Sequence, residues 1–125
     1  MTIHRMILLF LLIFCQISYA SDFIVNSLPE AQQIATQTKQ PILLILGSPT
    51  CVFCEKLKND LSEPELQQHI DRYIICYIDI SNQPEYKDSY KVTSIPDSRI
   101  IKNNKQISRA QGYKKVDYIN WLKNQ

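Results

Sequence analysis

Cys51-Val52-Phe53-Cys54 sets two thiols two residues apart, and such a pair has three uses. It can open and close as a small redox disulfide, stand as a fixed cross-link, or supply half of a zinc site. The flanking residues favour redox chemistry. Upstream, Pro41-Ile42-Leu43-Leu44-Ile45-Leu46 is a short apolar run that reads as a buried strand, and Gly47-Ser48-Pro49-Thr50 breaks it. Downstream, Glu55-Lys56-Leu57-Lys58 favours helix. Cys51 is therefore expected at or near a helix N-terminus, where unpaired N–H groups and the macrodipole favour a thiolate over a thiol. Zinc needs about two more ligands. His69 is the only histidine after residue 20, and Cys76 lies in an apolar run, so no tetrahedral set is evident.

The elements that must position this pair begin after a leader. His4 and Arg5 are followed by an almost purely apolar stretch from Met6 to Phe14, and Ser18-Tyr19-Ala20 puts small residues at a cleavage site. Residues 1–20 read as a secretory signal peptide and residues 21–125 as the mature domain. The apolar stretch falls short of the roughly 20 residues of a membrane-spanning helix. Bulky Phe14 before Cys15 argues against lipid attachment. Removing the leader leaves Cys51, Cys54 and Cys76. One close pair and one isolated cysteine do not make the dispersed, even set of a disulfide scaffold. The 125-residue chain carries 14 Lys and Arg against 12 Asp and Glu, interspersed, with no basic stripe for nucleic acid.

Three segments share a helix-start grammar: Ser27-Leu28-Pro29-Glu30, Ser62-Glu63-Pro64-Glu65 and Asn82-Gln83-Pro84-Glu85. Each has a capping residue, a proline two places on and a glutamate three places on. Helices are expected over about 28–38, from Cys51 to about 59, from Ser62 to 70, and over about 84–90. Tyr73 to Ile80 is a continuous β-rich apolar run, as for a strand covered on both faces. Pro96 to Ile101 and Gln106 to Ala110 form a hairpin across Lys102-Asn103-Asn104-Lys105. Val116, Ile119 and Leu122 recur at helical spacing in a last helix, with Trp121 beside them. The order predicts an α/β domain with a central mixed sheet flanked by helices.

Taken together, these residues resemble the thioredoxin-fold family over nearly all of the mature sequence. The likeness rests on the CxxC after a buried strand, the apolar strand ending at Asp79, the segment Tyr90-Lys91-Val92-Thr93-Ser94-Ile95-Pro96, and Lys102-Asn103-Asn104 followed by Gly112. Lys39 to Leu44 and Glu55 to Leu66 are similar to exported bacterial members, such as the C-terminal domain of DsbD and SoxW-like thioredoxins. The resemblance implies a cis peptide at Pro96, protein disulfides as substrates, a membrane electron donor of the DsbD type, and a periplasmic monomer. It implies no cofactor or metal beyond a redox-active Cys51–Cys54 disulfide. Two departures stand out. Ile45 occupies the place of the family's buried aspartate, so proton removal from Cys54 falls to water or another group. Asp97-Ser98-Arg99 follows the proline where thioredoxins usually carry threonine.

The expected chemistry is thiol–disulfide exchange. Cys51 attacks a partner disulfide, Cys54 resolves the mixed disulfide, and Ile95 and Pro96 present backbone to an extended substrate segment. Glu55 and Asp97, read as negative charge around Cys51, raise the thiol's pKa and favour a reductant. Cys76 reads as a small buried hydrophobe. His69 reads as a surface or half-buried residue. Two other functions fit the same features: a non-catalytic adaptor in the cell envelope, and a chaperone holding copper(I) between the two thiolates.

Overall fold

The computed structural model describes residues 23–125, so the expected leader at residues 1–20 lies outside the described residues. In chain order the elements are β1 (Ile24–Val25), α1 (Leu28–Thr38), β2 (Ile42–Gly47), α2 (Val52–Asp60), α3 (Pro64–Ile70) and β3 (Ile74–Asp79), then α4 (Glu85–Ser89), β4 (Asp97–Lys102), β5 (Lys105–Gln111) and α5 (Lys115–Lys123). They build one sheet in the order β1-β3-β2-β4-β5. β1 and β2 run parallel to β3, whereas β4 is antiparallel to β2 and to β5. The expected mixed sheet is present. β1 was not foreseen; two residues on an edge carry no periodic signal.

Every residue of β2 is buried, because helices cover both faces of the sheet. Leu43 and Ile45 face a cluster with Leu57, Leu61, Leu66, Ile70, Tyr118 and Leu122, contributed by α2, α3, α5 and the turn after α2. Ile42, Leu44 and Leu46 face the opposite cluster with Leu28 and Ala31 of α1. The period-2 alternation of a strand thus assigns each β2 side chain to one of two cores. Tyr113 ties the first cluster to the end of α2, its hydroxyl donating to Asp60 Oδ2 at 2.6 Å in a buried contact. In α5 the buried stripe is Tyr118 and Leu122, with Ile119 and Trp121 packed against them. Val116, expected on that stripe, is 60% exposed, because the helix is rotated to bring Tyr118 Oη within 2.8 Å of Ser98 Oγ.

The three similar helix starts fold in three registers. Ser27 is a true N-cap, its Oγ accepting from the Glu30 N–H at 3.3 Å. Helix α3 is instead capped at Glu63 without a side-chain bond, and Ser62 Oγ donates back to the Asn59 carbonyl at 3.0 Å. α4 begins one residue later still, after Pro84, and Asp79 rather than Asn82 organises the turn before it by accepting from Ser81 N–H at 2.9 Å. The reason is geometric: the second and third starts follow directly on elements whose ends already engage the Ser62 hydroxyl and the Asn82 backbone N–H. Ser27→Ala is accordingly expected to lower stability by about 1 kcal/mol, and Ser62→Ala by much less. Chemical denaturation midpoints of the two variants check this.

The hairpin turns as expected. Asn103 and Asn104 both take positive φ, at 53° and 61°, between paired Lys102 and Lys105. That is the two-residue loop whose twist matches the strands. Among the described residues, no helix is long and apolar enough to cross a membrane.

Candidate active site

Cys51 is the N-cap of α2, in extended conformation at φ −94° and ψ 114°, and its Sγ accepts from the Cys54 N–H at 3.2 Å. The turn that delivers it is closed by Cys51 N–H donating to the Ser48 carbonyl at 3.3 Å. A sulfur in the cap position meets the orphan amides that a serine or aspartate oxygen would otherwise satisfy. The expectation from sequence therefore holds at the level of individual atoms. Cys51 and Cys54 are joined as a disulfide with Cα atoms 5.2 Å apart. Cys51 is half-buried, whereas Cys54 is fully buried. Only the first sulfur can be approached from solvent. Val52 and Phe53 between them are 78% and 57% exposed, an apolar lip beside that sulfur.

The second wall comes from the loop before β4. The Ile95–Pro96 peptide is cis, and the Ile95 carbonyl oxygen lies 3.7 Å from Cys51 Sγ. Ile95 is half-buried and Pro96 is buried. Gly112 holds the loop from behind, its N–H donating to the Pro96 carbonyl at 2.7 Å. Gly112 has φ +78°, a region that side-chain-bearing residues avoid, which accounts for glycine there. The structure thus brings together all four residues singled out from sequence: Cys51, Cys54, Ile95 and Pro96.

Asp97 does not sit at the lip. Its side chain is fully buried, on the sheet face opposite α2, because it pairs with Leu46 and shares that residue's direction. Asp97 Oδ1 accepts from Arg99 Nε at 2.8 Å and Arg109 Nε at 3.2 Å, and Oδ2 accepts from Arg109 Nη2 at 2.7 Å and Arg99 Nη2 at 3.1 Å. Burial alone would push its pKa up, but the hydrogen bonds and charges of both guanidinium groups outweigh that and hold the carboxyl below its ordinary value. Arg99 also donates to the Tyr90 carbonyl at 2.6 Å and to Gln106 Oε1 at 2.9 Å. The cluster is an anchor for the segment that carries Ile95, not a charge facing Cys51. Of the two carboxylates that favoured a reductant, only Glu55 remains near the pair. A signal for this was present in the sequence: Asp97 and Arg99 stand two apart in an otherwise buried strand, the spacing of two charges on one face.

Cys76 is a free cysteine, fully buried in the α1-side core. Burial, with a smaller effect of Glu30, pushes its thiol up to about 12, so it stays protonated. His69 is half-buried near the end of α3. Among the described residues, no group of three or more His, Cys, Asp or Glu side chains could hold a metal ion.

A redox disulfide capping a helix on a mixed sheet, faced by a cis-proline loop, defines a thioredoxin-fold dithiol protein. The chain belongs to the thioredoxin-like domain family, whose sequence model matches residues 28–125. Among solved structures it is similar to a thioredoxin from Thermus thermophilus, at 17% identity and a TM-score of 0.70 over 81% of this chain and 84% of that one. It is likewise similar to the thioredoxin of Trichomonas vaginalis, at 22% identity and 0.66 over 83% and 98%. The DsbH oxidoreductase matches at 22% identity and 0.66 over 80% and 81%. At such identities the likeness is one of fold. No curated protein sequence matches the chain significantly. The family and the Cys51–Cys54 disulfide together make the protein a thiol–disulfide oxidoreductase.

Proposed function

We propose that this protein is exported and reduces or exchanges protein disulfides through a mixed disulfide on Cys51. The observation that carries the reading is the asymmetry of the pair: Cys51 Sγ is reachable at a helix N-terminus and Cys54 is sealed beneath it. The Cys51 thiolate attacks one sulfur of the substrate disulfide, and the other substrate sulfur leaves with the bonding electron pair. Cys54 then attacks Cys51 Sγ, which restores the disulfide and releases the second substrate thiolate. Ile95 and Pro96 present the loop against which an extended segment lies as an added strand, and Val52 and Phe53 receive its apolar side chains.

The leader-like residues 1–20 support export to the periplasm, with Ser21 as the mature N-terminus. There the protein works as a monomer and regains electrons from a membrane dithiol donor of the DsbD type. The resemblance of residues 39–44 and 55–66 to exported members supports that donor. The test is trapping. Full-length Cys54→Ser expressed in a bacterial host should accumulate mixed disulfides through Cys51, in the envelope fraction, on a chain beginning at Ser21. A cytoplasmic chain, or an envelope chain that never forms a reducible adduct, contradicts the reading.

A further inference from the structure

Tyr77 Oη is the one buried side-chain polar atom without a hydrogen-bond partner among the described residues. A buried hydroxyl left unpaired is destabilising, so its persistence asks for a partner in another state of the protein. Its position supplies one. Tyr77 pairs with Ile45 across β3 and β2, and its long side chain leans along the strands towards Gly47, two residues further on. A Cβ added at Gly47 would collide with the Tyr77 hydroxyl and stand 2.9 Å from Cζ and 3.1 Å from Cys54 Sγ. The phenol and the buried sulfur converge on the space that glycine leaves empty.

Resting on the redox reading above, we propose that Tyr77 Oη donates a hydrogen bond to Cys54 Sγ whenever the Cys51–Cys54 bond is open, and so holds the resolving thiolate. In the closed disulfide the hydroxyl is unpaired, the Cys54 sulfur being held to Cys51 and out of hydrogen-bond geometry with it. Opening the pair frees that sulfur to turn towards the phenol. In the mixed disulfide the Cys54 thiol gives its proton to solvent, and its sulfur becomes an anion that the phenol can serve. The anion attacks Cys51 Sγ, the bond from Cys51 to the substrate sulfur breaks, and that sulfur leaves with the electron pair and is protonated by solvent. The chain's two sulfurs are oxidised to a disulfide and the substrate's two are reduced. Tyr77 keeps its own proton throughout. Burial first, then Glu55 and Asp79, push the phenol up to about 12, which keeps it a donor at neutral pH.

The charged groups around Tyr77 come from α2 and from β3 itself. Lys58 Nζ lies 5.0 Å above its ring, and Glu55, Lys58, Asp79, Asn82 and Gln83 line a cleft of about 220 Å³ that the ring also borders. From β2 the neighbours are Ile45 and Gly47, neither of which titrates. Because the donor acts only on the open pair, it draws the equilibrium towards the dithiol and makes the disulfide a stronger oxidant than it would otherwise be.

The test compares the wild type with Tyr77→Phe. Phenylalanine keeps the ring and removes only the hydroxyl. In a Cys51→Ser background, the Cys54 thiolate titration followed by alkylation across pH should rise by about one unit without the hydroxyl. With Cys51 present, the equilibrium against glutathione should shift about tenfold towards the disulfide, which is about 30 mV. Thermal melting of the two redox forms separates this role from plain packing: Tyr77→Phe should leave the oxidised protein as stable or more so, and lower the melting temperature of the reduced protein. Gly47→Ala, which displaces the phenol while retaining Tyr77, should raise the Cys54 titration in the same direction. Normal exchange with an unchanged Cys54 titration and equilibrium in Tyr77→Phe overturns this proposal alone, as does an equal melting shift in both redox forms. A wild type that exchanges with no dithiol reagent overturns the redox reading and this proposal with it.

Discussion

Cys51→Ser is expected to abolish disulfide reduction, with the rate in an insulin-reduction assay falling by roughly 10³-fold or more, as loss of a covalent nucleophile does in other enzymes. The variant is unusually informative, because serine is among the preferred N-cap residues. Its oxygen can accept from the Cys54 N–H as the sulfur does now at 3.2 Å, so α2 keeps its cap and the domain its fold. What disappears is the nucleophile. A hydroxyl is not ionised at neutral pH even above a helix N-terminus, whereas a thiol there is brought into range. Three decades in rate correspond to about 4 kcal/mol of lost transition-state stabilisation. Unchanged far-ultraviolet circular dichroism together with lost activity is the expected pair of results. Activity within tenfold of the wild type would mean that Cys54 or another group performs the first attack. Cys54→Ser should behave differently, reacting once and stopping as a mixed disulfide.

Asp97→Ala should produce the largest loss of stability, about 3–5 kcal/mol, the range for removing one partner from a buried charge cluster. Arg99 and Arg109 are directly opposite one another on β4 and β5, an arrangement that is repulsive without an anion between them. Asp97 supplies that anion with four hydrogen bonds. Arg99 is nearly fully buried, so deleting Asp97 strands a guanidinium that water cannot reach. Against a typical total of about 5–15 kcal/mol, the loss is severe. Since Arg99 also grips the Tyr90 carbonyl, the segment leading to Ile95 and Pro96 should loosen too.

The pH dependence follows from the direction of the Asp97 shift. Its folded pKa lies below the unfolded value of about 3.9, so its contribution is fully present above that value and is lost as pH falls through the folded pKa. The difference in denaturation free energy between wild type and Asp97→Ala should therefore be constant from pH 7 to about 5 and shrink below about 4. A difference that is flat into strong acid, or a variant as stable as the wild type at pH 7, would remove the anchor role.

Local signals were read correctly where the chain needs only its neighbours in sequence. Gly47 to Thr50 break a strand and Glu55 onwards favours helix, which places Cys51 at or near that helix's N-terminus; it is the N-cap. The pair Asn103-Asn104 forced a tight turn in the same way. The differences lie where a neighbouring element or a distant segment claims the same residues. Ser62 and Asn82 look like Ser27, yet the ends of α2 and β3 had already engaged the chain there. Val116 fits the helical spacing as well as Leu122, but the Tyr118–Ser98 hydrogen bond sets the helix rotation.

Residue order alone pointed to the chemistry: two thiols one helical turn apart, at a strand-to-helix junction, with a proline-bearing loop later in the chain. Those features act over a few bonds, through capping, dihedral preference and alternation. Tertiary structure decided which groups serve that chemistry. Asp97 faces away from α2 only because β4 pairs with β2 in a register that puts it beside Leu46. Tyr77 Oη and Cys54 Sγ both border the space beside Gly47 only because β3 lies parallel to β2 in this register. Strand register across thirty residues or more is a collective outcome of burying both sheet faces, and a shift of one residue would have turned each of these side chains to the other side.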